Sequence, residues 1–146
     1  MRDKMIDIMN WNECQNNFIR EIERDPAKIK SIIETAIQRH EFISKIEVTK
    51  ENVSFIIEGY YEIIKELMIA LLLNNGFRSK NHQCLISYFY KHFKQYEAEA
   101  HLISQMSYLR NRLDYYGEQI DFAFYEKNKL KIEQIITILK SLVSKS

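Results

Sequence analysis

The chain has 146 residues and a formal net charge of +1, long enough for one domain with a core and too near neutral to draw nucleic acid electrostatically as a whole. Only three Gly and one Pro occur, which argues against a turn-rich β protein. The longest purely apolar run, 67–73, is too short to cross a bilayer, and no charged stretch leads into an apolar core near the start. A membrane partner and a signal peptide are therefore not expected.

Taken in chain order, a first helix is expected over much of the first 24 residues. Met5, Ile8, Phe18 and Ile22 fall near helical spacing, with Trp11 and Cys14 beside them. Four Asn residues between 10 and 17 weaken that pattern. Asp25-Pro26 is a boundary, an N-cap followed by Pro at the first helical position. Helix two runs from there to about Lys45 and buries Ile29, Ile32, Ile33, Ala36, Ile37, His40 and Ile43. Thr49 is the next N-cap candidate. Helix three is the hydrophobic centre, with a broad stripe from Val53 to Leu71, and Asn74-Asn75-Gly76 ends it. Arg78-Ser79-Lys80-Asn81 reads as a basic loop. Helix four follows to about Phe93, with Leu85, Ile86 and Phe89 inward. Helix five covers about Glu97 to Tyr116, and Gly117 terminates it. The segment 118–127 fits either a loop anchored by Phe122, Phe124 and Tyr125 or the opening of helix six. That last helix carries Leu130, Ile132, Ile135, Ile136, Leu139, Leu142 and Val143. No segment has the alternation of a strand.

These elements predict one all-α, antiparallel, up-and-down bundle of about five to six helices. It spans 1–146 as a single domain, with an N-terminal helix over about 1–24 and a core bundle over about 25–143. Cys14 and Cys84 are too few for a disulfide framework and lack zinc-ligand spacing. They are expected as buried, reduced thiols in a cytoplasmic protein. No cofactor is implied. No metal is implied either, because His92 and His101 have no partner at ligand spacing.

The stretch 108–117 holds the polar cluster of helix five. With Arg110 set to 0°, Asp114 falls at about 40°, Asn111 at about 100° and Tyr115 at about 140°, whereas Leu102, Met106, Leu109, Leu113 and Tyr116 fall between about 240° and 320°. One helix thus carries an apolar stripe and, roughly opposite, an Arg/Asn/Asp/Tyr cluster facing either solvent or a partner. Arg110 and Asp114 alone would form a surface ion pair worth about 0.3–0.5 kcal/mol. Tyr116 continues the stripe and is expected in the core. Tyr115 suits an interface, base stacking or proton donation.

Three segments resemble a HEPN domain (higher eukaryotes and prokaryotes nucleotide-binding). Tyr60 through Leu72 is similar to its central helix, Gly76 through Ile86 to its loop and next helix start, and Leu109-Arg110-Asn111-Arg112-Leu113-Asp114-Tyr115-Tyr116 to its signature. In that family an Arg is followed after four to six residues by His, and the pair serves metal-independent RNA cleavage. Arg110 matches the Arg, Asn111 the frequent neighbouring Asn, and Tyr115 stands where the His is expected. The resemblance implies a homodimer whose two signatures share a cleft. It implies an RNA-binding protein of toxin or RNA-processing type, with Arg110, Asn111, Asp114 and Tyr115 as candidate catalytic residues. Arg78, Lys80 and Arg112 are candidates for binding nucleic acid. The alternative it implies is an inactive dimer that binds a nucleotide, or a nucleotidyltransferase-type partner as in toxin–antitoxin pairs. Phenol is mostly protonated near neutral pH and is a poor base, and losing an acid–base group costs about 10² to 10⁴ in rate. Tyr115 therefore leaves binding intact and cleavage open.

Overall fold

In the computed structural model, residues 7–144 are described. The element order is α1 (Trp11–Asn17), β1 (Ile19–Glu21), α2 (Pro26–Ser44), α3 (Val53–Asn74), β2 (Phe77–Ser79), α4 (His82–His92), a 3₁₀ turn (Lys94–Tyr96), α5 (Glu97–Tyr116) and α6 (Phe122–Ser144). This is an all-α bundle carrying one short two-stranded ribbon. No helix among the described residues is long and apolar enough to cross a membrane.

Helix α3 is buried on nearly every side. Its apolar residues exceed what one stripe can hold, so it becomes the axis on which the others pack. Cross-helix bonds fix the directions of its neighbours. Arg39 bonds Glu66 while Ile43 touches Gly59, so α2 runs antiparallel to α3. Arg110 pairs with Glu62 while Asp114 lies beside Glu58, so α5 is antiparallel too. Tyr60 bonds Glu133 and Asn74 bonds the Val143 carbonyl, so α6 runs alongside α3 in the same sense. Buried residues of α2 to α6 form one continuous core around Ile63, Ile64, Leu67 and Leu71.

Local chemistry sets the ends. The Asp25 carboxylate caps α2 by accepting from Lys28 N–H at 3.1 Å, with Pro26 at the first position. The regular helix α3 starts at Val53, but Thr49 supplies the cap: its Oγ1 accepts from Asn52 N–H at 3.3 Å, its N–H donates to the Asn52 side chain at 2.8 Å, and its carbonyl accepts from Val53 N–H at 3.0 Å. Gly117 ends α5 at φ +66°, where Glu118 N–H donates to the Arg112 carbonyl and Gly117 N–H to that of Leu113. The open question of 118–127 resolves into a short link and an α6 that starts at Phe122. The link is pinned by Ser54, whose hydroxyl accepts from Ile120 N–H at 2.8 Å and donates to Gln119 at 2.9 Å.

The N-terminal region departs from expectation. Helix α1 is only Trp11–Asn17, and Met5 lies outside the described residues. Phe18 and Ile22 belong to no helix. The segment 19–21 pairs antiparallel with 77–79, Ile19 opposite Ser79 and Arg20 opposite Arg78. Bonds from Ile22 N–H to the Gly76 carbonyl and from Lys80 N–H to the Phe18 carbonyl lengthen the ladder. Three residues are too few to show a period of two, and the pairing partner lies far along the chain.

The cysteines are also a correction. Cys14 and Cys84 are joined in a disulfide with Cα atoms 5.5 Å apart, both fully buried, where separate reduced thiols were expected. Trp11 packs edge-on against Tyr88 and His92, which seats α1 on α4 and brings the two sulfurs together. His40, expected among the buried residues of helix two, is half-buried and satisfied at the edge of the core: its Nε2 lies 2.8 Å from the Glu133 carboxylate, whose other oxygen accepts from the Tyr60 hydroxyl.

Candidate functional site

Helix α5 presents two inward faces, not one. On the same wheel Ile103, Ser107 and Ala100 fall at about 20°, 60° and 80°, and all three are buried. They share the Arg110 and Asp114 side of the helix. Small residues let α5 approach α3 closely, and they carry too little apolar surface to register as a hydrophobic stripe. Arg110 and Asp114 therefore face the neighbouring helix α3, whereas Asn111 and Tyr115 do not. At the other edge the stripe fades near the helix end: Leu113 is half-buried, and Tyr116 is 68% exposed where the core was expected.

Arg110 sits between α5 and α3. Its terminal nitrogen donates to Glu62 Oε1 at 3.2 Å, and its Nε lies 3.2 Å from Asp114 Oδ2. That Nε–H does not point at the carboxylate, so Nε is a buried donor without a hydrogen bond. The guanidinium carbon stands 5.8 Å from the Tyr61 ring centre. Lys65 closes on the other oxygen of Glu62 at 2.8 Å. Glu58 completes the group. Its carboxyl is held above the usual carboxylate range, chiefly by burial, then by its hydrogen bond with Asp114 and the charges of Asp114 and Glu62, against the pull of Arg110. Three carboxyl groups thus surround two cations. Burial also raises the Tyr61 phenol, opposed by a hydrogen bond with Ser107 and by Arg110. Ser107 is further bonded by Gln83 from α4 at 2.9 Å.

The other predicted residues lie elsewhere. Asn111 is half-buried on the next face of α5. Arg112 grips Glu118 across Gly117 and lies 4.3 Å over the ring of Tyr116. Tyr115 is 78% exposed. Arg78 and Lys80 are exposed on and just after β2. Of the seven candidates, the structure brings only Arg110 and Asp114 into direct contact, while Arg112 and Tyr115 share the outer side of α5.

His82 stands at the start of α4. The cap is Asn81, which accepts from Gln83 N–H at 2.8 Å, while His82 begins α4 exposed. Burial lowers its imidazole, as do Lys65 and Arg110, against Glu62. Sequence reasoning missed Glu58, Glu62 and Lys65. A signal was present: Glu58 and Glu62 stand four apart in an otherwise apolar helix, which stacks them on one side.

A different grouping emerges on the outer side of α5. Tyr108, Arg112, Tyr115 and Tyr116 fall within about 140° to 240° on the wheel, and the three tyrosines are exposed. They form a ledge of aromatic faces around one cation. Among the described residues no group of three His, Cys, Asp or Glu side chains could hold a metal ion. No protein-family model matches the chain, and no curated protein or solved structure matches it.

Proposed function

We propose that this protein is a HEPN-like RNA-binding domain that holds single-stranded RNA without cleaving it. The observation that carries the reading is the ledge of Tyr108, Arg112, Tyr115 and Tyr116. Every base has a π face, and stacking on an exposed aromatic contributes about 1–3 kcal/mol per base. The Arg112 guanidinium lies over the Tyr116 ring but is paired with Glu118, so stacking on the tyrosines, not charge, supplies the affinity. The Arg110 cluster supports the non-cleaving half of the reading. Its guanidinium is already matched by Glu62 and Asp114, in a group with more carboxyls than cations, so a phosphate gains little there. Pairing of two copies belongs to the same proposal, with the two ledges on the outside of the dimer.

The test is fluorescence anisotropy with a short single-stranded RNA, with and without a chelator. Binding is expected, with no product formed. Tyr115→Ala and Tyr116→Ala each weaken it by about tenfold. Metal-independent cleavage that disappears in Arg110→Met would reverse the proposal in favour of a ribonuclease. Tyrosine variants that leave RNA affinity intact and abolish self-association in light scattering would make the ledge the dimer contact instead.

A further inference from the structure

A second concave site lies on another side of α3. A cavity of about 200 Å³ opens between α2, α3, β2 and the start of α4. Its walls are aliphatic or aromatic: Ile69 and Leu72 from α3, Phe77 from β2 and Leu85 from α4. Lys28, Arg78 and His82 line it too, and no carboxylate does. Among the described residues none of these three basic groups lies within ion-pair distance of an acid. The contrast with the Arg110 cluster, where acids outnumber cations, is sharp.

A second observation comes from the ribbon. Arg78 stands directly opposite Arg20 on the paired strand. Like charges in that position repel and destabilise a strand pair. The arrangement leaves positive charge unmet beside the cavity, which an anion seated there would neutralise.

We propose that this cavity binds a small amphipathic anion, a carboxylate or phosphate headgroup carried on an aliphatic body. Lys28 and Arg78 hold the headgroup, and His82 supplies a hydrogen bond. The body lies against Ile69, Leu72, Phe77 and Leu85. A nucleobase fits this chemistry poorly, because its edges need donors and acceptors along the wall. The one wall hydroxyl, Ser79, is already spent: it donates to the Asn81 carbonyl at 2.7 Å and accepts from Asn81 N–H at 3.1 Å. The site shares no residue with the tyrosine ledge, so it stands or falls apart from the RNA reading.

The test uses the full chain and four probes, octanoate, octyl phosphate, octanol and AMP, followed by calorimetry and amide chemical-shift mapping. Saturable binding of octanoate, octyl phosphate or both is expected, with shifts centred on 28–32, 69–73 and 77–85. Which of the two binds more tightly identifies the headgroup. Octanol lacks the charge and should bind at least about tenfold more weakly, as should either anion to Arg78→Glu or Lys28→Glu. Both positions are exposed, and Arg78→Glu replaces a like-charge pair with Arg20 by an opposite-charge one, so the variants should melt no lower than the parent. Equal binding of octanol and octyl phosphate would overturn the proposal. So would tighter binding of AMP, shifts centred elsewhere, indifference to Arg78→Glu, or no saturation at millimolar concentrations.

Discussion

Replacing Arg110 by Met tests whether its guanidinium is a structural counter-ion or a free ligand-binding group. Met keeps most of the apolar stem and deletes the charge. Glu62, Asp114 and Glu58 would then face one another with only Lys65 to offset them. Side chains of Arg110, Glu62 and Asp114 are 27%, 22% and 38% exposed, between the fully buried and the solvated cases. Breaking a buried pair costs about 3–5 kcal/mol and an exposed one about 0–1. The half-buried geometry, with solvent screening discounted, gives a loss of about 2 kcal/mol. For a chain of this length that lowers Tm by about 6 °C. Urea denaturation followed by circular dichroism at pH 7 measures it. Adding Glu62→Gln should restore part of the loss, because the removed charge no longer lacks its partner. The loss should also shrink toward pH 4, where unpaired carboxylates take up protons. An Arg110→Met protein within about 0.5 kcal/mol of the parent, or one indifferent to Glu62→Gln, would refute the counter-ion argument.

Other outcomes follow from the same geometry. The folded state raises the Glu58 pKa, so its stabilising contribution is complete below the unfolded value and is lost as pH rises through the folded one. Glu58→Gln should therefore raise the urea midpoint at pH 7 to 8 and lose that advantage near pH 3. Reducing the Cys14–Cys84 bond opens a loop with a sequence separation of 70, which should cost about 4 kcal/mol. Alkylation of the unfolded, unreduced chain should find neither thiol free. Ser54→Ala strands the buried Ile120 N–H and should cost about 1–3 kcal/mol. Hydrogen exchange at that amide would quicken accordingly.

The sequence carried most of the helical layout because its signals there are local. Asp25-Pro26 and Gly117 mark ends by backbone chemistry, and α5 runs from Glu97 to Tyr116 as its periodicity predicts. What it hid is non-local or small. Strand β1 exists only because 77–79 reaches it, and the disulfide needs the same convergence. The α3-facing side of α5 has Ile103 as its one large apolar residue beside the small Ala100 and Ser107, too weak a signal to mark a second stripe, so Arg110 read as outward-facing. Tyr116 keeps the spacing of core residues yet is exposed as the last residue of α5, whereas Leu130 lies about 160° around α6 from Ile132, opposite the buried stripe of Ile132, Ile135, Ile136, Leu139 and Val143. In the candidate site Arg110 and Asp114 were legible, but Glu58, Glu62 and Lys65, on a helix about fifty residues earlier, were not.

The ribbon and the sulfur bridge together decide when segment 11–22 can settle. Segment 11–22 has no surface to rest on until α3, β2 and α4 have been synthesised. During translation the earliest portion of the described chain must wait, idle, while the centre assembles, and it docks as one of the later events. A ribosome paused before the codon for Cys84 would hold a bundle in the making while segment 11–22 still hangs loose.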